Sequence, residues 1–189
     1  CYPDGGIVDD LLVYRASDHF IMVVNASNIE KDWQWAEKNL LPGVKLENKS
    51  DELSLLALQG PDAENVLQPL TDKDLSAIKF YWFDQAAVAG VDVLVSKTGY
   101  TGEPGFELMF PREQSETVWH ALMQSGKAYD IEPIGLGARD TLRLEMKMCL
   151  YGNDIDKTTN PLEAGLGWIT KLDKGDFIGR DALLRIREE

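Results

Sequence analysis

The sequence predicts an α+β fold of mixed, mainly antiparallel sheets with flanking helices. Short apolar runs come in neighbouring pairs joined by turn residues, as hairpins require. Segments with helical spacing lie between and after these pairs instead of following every strand, so the β-α-β alternation of a parallel sheet is missing. The 189 residues, 44% hydrophobic and 27% charged, can bury a real core, yet no apolar run nears the ~20 residues that a membrane-crossing helix needs.

Taken in order, Gly5-Gly6 is a turn and residues 7–14 (IVDDLLVY) read as a strand, which the turn-like 16–19 joins to the apolar run 20–24 (FIMVV). Ser27-Asn28-Ile29-Glu30 fits a capping box, and Ile29, Trp33, Ala36 and Leu40 recur at helical spacing until Leu41-Pro42-Gly43. Residues 53–58 form the next strand. Gln59-Gly60-Pro61 ends it and opens a helix carrying Ala63, Val66, Leu67 and Leu70. Strands 86–89 and 91–96 turn at Gly90, a glycine-rich loop occupies 98–105, and 106–110 is a further strand. Pro111 opens a helix with Val118, Trp119 and Leu122, stopped by Gly126. A helix over 138–148 follows Gly135-Leu136-Gly137. A short apolar segment at 166–172, a charged turn at 173–176 and a last helix from Gly179 complete the chain.

Net charge of −13 and a pI near 4.6 repel phosphate, and lysine and arginine are scattered, so neither nucleic acid nor an anionic membrane is an expected partner. Two cysteines, Cys1 and Cys149, and two histidines, His19 and His120, supply no disulfide framework and no metal centre, so no metal is expected.

Asp9 and Asp10 stand in the middle of an apolar strand segment. Successive side chains of a strand face opposite ways, so the pair is not expected to act as one dyad, and one carboxylate lies among apolar neighbours where burial raises its pKa. Such acids also serve to block strand mispairing. The segment KTGYTGEPGFEL is neither GxGxxG nor a phosphate loop, which gives nucleotide binding little support. Lys97-Thr98-Gly99 with Ser76-Ala77-Ile78-Lys79 imitates two serine β-lactamase motifs, but only 18 residues separate them and no SDN lies between. Arg139 falls in the first turn of its helix, against the helix dipole. It therefore needs an anionic or polar partner, whereas Arg143 and Lys147 are expected at the surface. The five tryptophans are expected in the core or at interfaces.

The words GGIVDDLLVY, VVNASNIEKD, LALQGP, VAGV, TGYTGEPGFEL, GLGARDTLRLE, LYGNDID, NPLEAGLGW and DFIGRDAL occur here in the order they have in the aminomethyltransferase, or T protein, family of the glycine cleavage system. The chain resembles the central half of that family's protein, without its N-terminal segment and C-terminal barrel. The resemblance implies two interleaved lobes of a folate-binding fold, residues 1–50 with 151–189 and residues 51–150. It also implies a transferase of glycine catabolism and one-carbon metabolism, passing an aminomethyl carbon from the lipoyl arm of H protein to tetrahydrofolate and releasing ammonia. It implies no metal, nucleic acid or membrane. The compartment it implies is the cytoplasm in a bacterium or the mitochondrial matrix in a eukaryote. By the same resemblance Asp10 is catalytic, and Glu107, Arg139, Tyr100, Asn25 and Tyr14 line the folate site. Phe80 stands where relatives offer a tyrosine. Two other readings share the superfamily: a non-enzymatic folate-binding relative, and a folate-dependent demethylase.

Overall fold

The computed structural model describes residues 1–188, which divide into two compact units. One is Cys1–Leu46 with Cys149–Glu189, and the other is Glu47–Met148. The mixture of helix and antiparallel sheet is the fold class that the sequence predicts.

The continuous unit is built on a four-stranded antiparallel sheet of β3 (Leu53–Gln59), β4 (Phe83–Val88), β5 (Val91–Ser96) and β6 (Gly105–Pro111), in the order β3-β6-β5-β4. Alternation along β6 sends Phe106, Leu108 and Phe110 to one face, where all three are almost fully buried. The helices α2 (Ala63–Leu67) and α3 (Ser115–Ser125) add Val66, Leu67, Val118 and Leu122 to that core. Each such side chain contributes about 1.5–3 kcal/mol by burial. Glu107 and Met109 take the opposite face, and in register Glu107 faces Ala57 on β3 and Ser96 on β5. A fourth helix, α4 (Leu136–Glu145), carries the arginine-rich word and begins two residues earlier than its spacing predicts.

The divided unit contains the hairpin of β1 (Leu12–Arg15) and β2 (Phe20–Val23), the amphipathic α1 (Ile29–Lys38) and the terminal α5 (Arg180–Glu188). Ile7, Val8, Tyr14, Ile155, Leu172, Ala182 and Leu183 are its buried hydrophobic residues.

Four sequence expectations are corrected. Residues 7–11 are not part of the strand, which begins only at Leu12, because the Ile7 N–H goes to the Thr159 carbonyl at 2.9 Å instead of a sheet partner. Ser27 and Glu30 form no capping box: residues 26–28 are a 3₁₀ turn with no side-chain cap, and Glu30 accepts from Gln34 one turn on. Arg143 is buried at 3% exposure, since it points back onto Asp140 and the Met148 carbonyl. Trp82, Trp119 and Trp168 are exposed and so are not core residues of either unit.

Candidate functional site

Asp10 is held by two residues within the divided unit, Asn25 and Tyr151. The Asn25 side-chain amide donates to Asp10 Oδ1 at 3.1 Å and to the Asp10 carbonyl at 3.0 Å, and the Tyr151 N–H donates to Asp10 Oδ1 at 3.2 Å. The turn before it is packed too tightly for any side chain, because a Cβ on Gly6 would overlap the Lys157 carbonyl. This close approach and the Ile7–Thr159 hydrogen bond set the direction in which the acidic pair leaves the turn. Burial first, and then the charge of Asp9, push the Asp10 carboxyl above its ordinary value; the Tyr151 N–H and the Asn25 amide pull the other way.

Asp9 does not point away from its neighbour as strand alternation requires. Its Oδ1 accepts from the Asp10 N–H at 2.9 Å, from Asn25 Nδ2 at 3.0 Å and from Asn28 Nδ2 at 3.0 Å. One asparagine amide therefore joins both carboxylates. The expectation that the two side chains face opposite ways fails because residues 9 and 10 lie outside the pleated ladder that enforces alternation.

In the continuous unit, Glu107 stands on the face of β6 away from the core, and Thr98 Oγ1 donates to its Oε2. Ser96 Oγ lies 2.7 Å from Thr98 Oγ1, so a buried hydroxyl pair backs the carboxylate. Tyr100 is on the glycine-rich loop, and the Arg139 guanidinium of α4 sits 4.4 Å from the centre of its ring, a cation–π arrangement. Arg139 is exposed and makes no ion pair with a carboxylate among the described residues, which leaves its charge open to an anion. Tyr14 is buried on β1 at 5% exposure, and Phe80 is exposed.

Residues 1–174 match the family model described as GCVT N-terminal domain. The chain belongs to this family. An aminomethyltransferase of Chloroherpeton thalassium is 60% identical over 183 residues, covering 96% of this chain and 51% of the relative. Another, of Caldanaerobacter subterraneus subsp. tengcongensis, is 53% identical over 192 residues, covering 100% of this chain and 51% of the relative. Among solved structures, the glycine cleavage system aminomethyltransferase T from Bartonella henselae matches with a TM-score of 0.83 and 34% identity, covering 99% of this chain and 51% of that one. The chain spans about half the length of the curated relatives it matches.

Within this GCVT domain the structure groups Asp10 with Asn25 in one unit and Glu107, Tyr100 and Arg139 in the other. Sequence reasoning missed Gln59, whose Nε2 donates to the Thr98 and Phe106 carbonyls at 3.2 Å each and so ties the two ends of the glycine-rich loop. The signal was a polar residue closing the apolar strand LALQ. Asp32 was missed as well: it is 4% exposed on α1, beside Lys31 at 2.7 Å. Among the described residues no group of three or more His, Cys, Asp or Glu could hold a metal ion, and no helix is long and apolar enough to cross a membrane.

Proposed function

We propose that the protein acts as a tetrahydrofolate-dependent aminomethyltransferase of the glycine cleavage system. The aminomethyl carbon leaves the sulfur of the lipoyl arm of an H protein and is bonded to tetrahydrofolate nitrogens. The products are 5,10-methylenetetrahydrofolate, ammonia and the dihydrolipoyl arm. The observation that carries this reading is the Asp10 carboxylate, held by a side-chain amide and a backbone N–H and lifted in basicity by burial and by Asp9. A carboxylate so oriented can take and return a proton and steer the attacking nitrogen. The identities and the family support the same reading.

Glu107, Arg139, Tyr100, Asn25 and Tyr14 are the proposed folate residues. A pterin presents a ring N–H and an amino group side by side, which a carboxylate accepts with both oxygens. Glu107 suits this role because Thr98 fixes its orientation. Arg139, without a carboxylate partner among the described residues, supplies a cation for the folate's acidic tail. The domain assignment of residues 1–50 with 151–189 and of 51–150 belongs to the same proposal, as does a cytoplasmic location in a bacterium. The test incubates the chain with aminomethylated H protein and tetrahydrofolate and follows ammonia. Release that depends on both substrates and disappears in Asp10→Asn supports the reading; release unaffected by Asp10→Asn overturns it.

A further inference from the structure

Among the described residues, two buried side-chain oxygens have no hydrogen-bond partner, and both belong to carboxyls: Asp9 Oδ2 and Asp32 Oδ2. Both carboxyls meet the first turn of α1: Asn28, the residue before the helix and one turn before Asp32, donates to Asp9, and Lys31 donates both to Asp32 and to the Val8 carbonyl next to Asp9. Their other oxygens are engaged. Asp9 Oδ1 takes three N–H donors, and Asp32 Oδ1 takes Lys31 Nζ at 2.7 Å. Two carboxylate oxygens facing each other are both acceptors and repel, whereas one proton between them makes each the partner of the other.

We propose that Asp9 and Asp32 share one proton, and that this pair, braced by Lys31, is the positioning element that holds Asp10. The proton belongs to the pair and not to either residue alone. From the pair, the hold reaches Asp10 by two routes. Asp9 Oδ1 anchors Asn25, whose amide also grips Asp10. Lys31 Nζ donates to the Val8 carbonyl, two residues before Asp10, and lies 4.2 Å from the centre of the Tyr151 ring. The Tyr151 N–H is the second donor to Asp10. The groups that face this cluster are Lys31 and Asp32 from α1, Asp9 and Asp10 from the N-terminal segment, and Tyr151 from the returning segment. Tyr2 and Asp156 act on Tyr151. Burial, and then the Asp9 carboxyl, push the Asp32 carboxyl up to about 6, in keeping with a proton retained well above the ordinary carboxylate range. Loss of that proton sets two anions side by side with the single cation Lys31, and Asp9 relieves the repulsion by drawing Asn25 away from Asp10.

The catalytic consequence rests on the reading of Asp10 proposed above; the shared proton does not. The experiment is a carbon-13 pH titration of carboxyl-labelled aspartates, with the Asn25 side-chain amide signals followed in parallel. The wild-type chain is expected to show a carboxyl titrating near pH 6, with the Asn25 signals moving at the same midpoint. Asp32→Asn offers a permanent N–H to Asp9 and a permanent carbonyl to Lys31, so the step disappears and the Asn25 signals stay at their acid-side positions. Asp32→Leu displaces the Asn25 signals at every pH and lowers kcat by on the order of 10²-fold, and Asp32→Asn rescues that loss. Asp32 titrating in the ordinary range, or Asn25 signals indifferent to it, overturns the proposal; the wild-type and asparagine titrations decide this even where the leucine variant does not fold. Absence of turnover in the wild-type chain counts against the aminomethyltransferase reading and leaves the titration result standing.

Discussion

The Tyr151 N–H donates to Asp10 Oδ1 at 3.2 Å across 141 positions of sequence. Asp10 is thus oriented by chain that returns only after the whole continuous unit has been made. The backbone donor offers no side chain that a substitution could remove, so the carboxylate keeps this partner in nearly any sequence variant. The second partner, Asn25, is a side chain and is open to test.

Asp10→Asn keeps the shape of the side chain and removes its basicity. Loss of one positioned acid–base group lowers the transfer rate by roughly 10²–10⁴-fold, while the Kd for tetrahydrofolate is expected to stay within about twofold. Ammonia release and titration calorimetry measure the two quantities separately. A parallel loss of affinity and rate would show that Asp10 holds the folate instead of acting in the transfer.

The pH dependence follows from the raised Asp10 pKa. If the transfer uses the carboxylate, kcat falls as pH drops through a value above the ordinary 3.8. Asn25→Ala removes a donor that stabilises the charged form, so the acid limb moves to still higher pH. For stability the sign is opposite. The folded state holds this proton more tightly than the unfolded chain, so the contribution is full below 3.8 and is lost as pH rises through the raised folded value. Asp10→Asn therefore flattens the fall in Tm over that interval. An acid limb unmoved in Asn25→Ala excludes Asp10 as the titrating group.

Much of the architecture was legible because burial leaves a period in the sequence. Phe106, Leu108 and Phe110 alternate with Glu107 and Met109, and the β6 strand and its two faces follow directly. The acidic pair was misplaced for the complementary reason. An apolar run surrounds Asp9 and Asp10, but the Ile7 N–H is taken by Thr159, a pairing that no local pattern announces. Arg143 and Asp32 were equally hidden, since charged residues on a helix read as surface until a partner is seen. The chemistry-bearing residues Asp10 and Arg139 stood out as charges in places that elementary physics disfavours, whereas Glu107, an ordinary alternating strand position, came from the family resemblance alone; their supports Asn25, Thr98 and Gln59 are uncharged and gave no such signal.

Thr98→Val tests one of those supports. The hydroxyl donates to Glu107 and valine cannot, so the carboxylate loses an interaction worth about 1.5–3 kcal/mol for a charged acceptor. If Glu107 binds the pterin, tetrahydrofolate Kd rises by roughly tenfold, which corresponds to ~1.4 kcal/mol, and Thr98→Ser restores it. Calorimetric titration that finds equal affinity in the valine variant and the wild type removes Thr98 from any role at the folate.

The glycine-rich loop gives the last prediction. A Cβ on Gly99 or on Gly105 would overlap the Gln59 side chain, which occupies the space between the two ends of the loop. Gly99→Ala must push Gln59 aside, breaking its hydrogen bonds to the Thr98 and Phe106 carbonyls and overpacking the site, at a cost of about 1–3 kcal/mol. The cost arises from one identifiable neighbour, so it should be conditional on that neighbour. Gly99→Ala in a Gln59→Ala background is expected to cost less than 1 kcal/mol beyond Gln59→Ala alone, a coupling that a double-mutant cycle on denaturant midpoints resolves. Additive effects in that cycle would mean that Gln59 does not set the path of the loop bearing Tyr100.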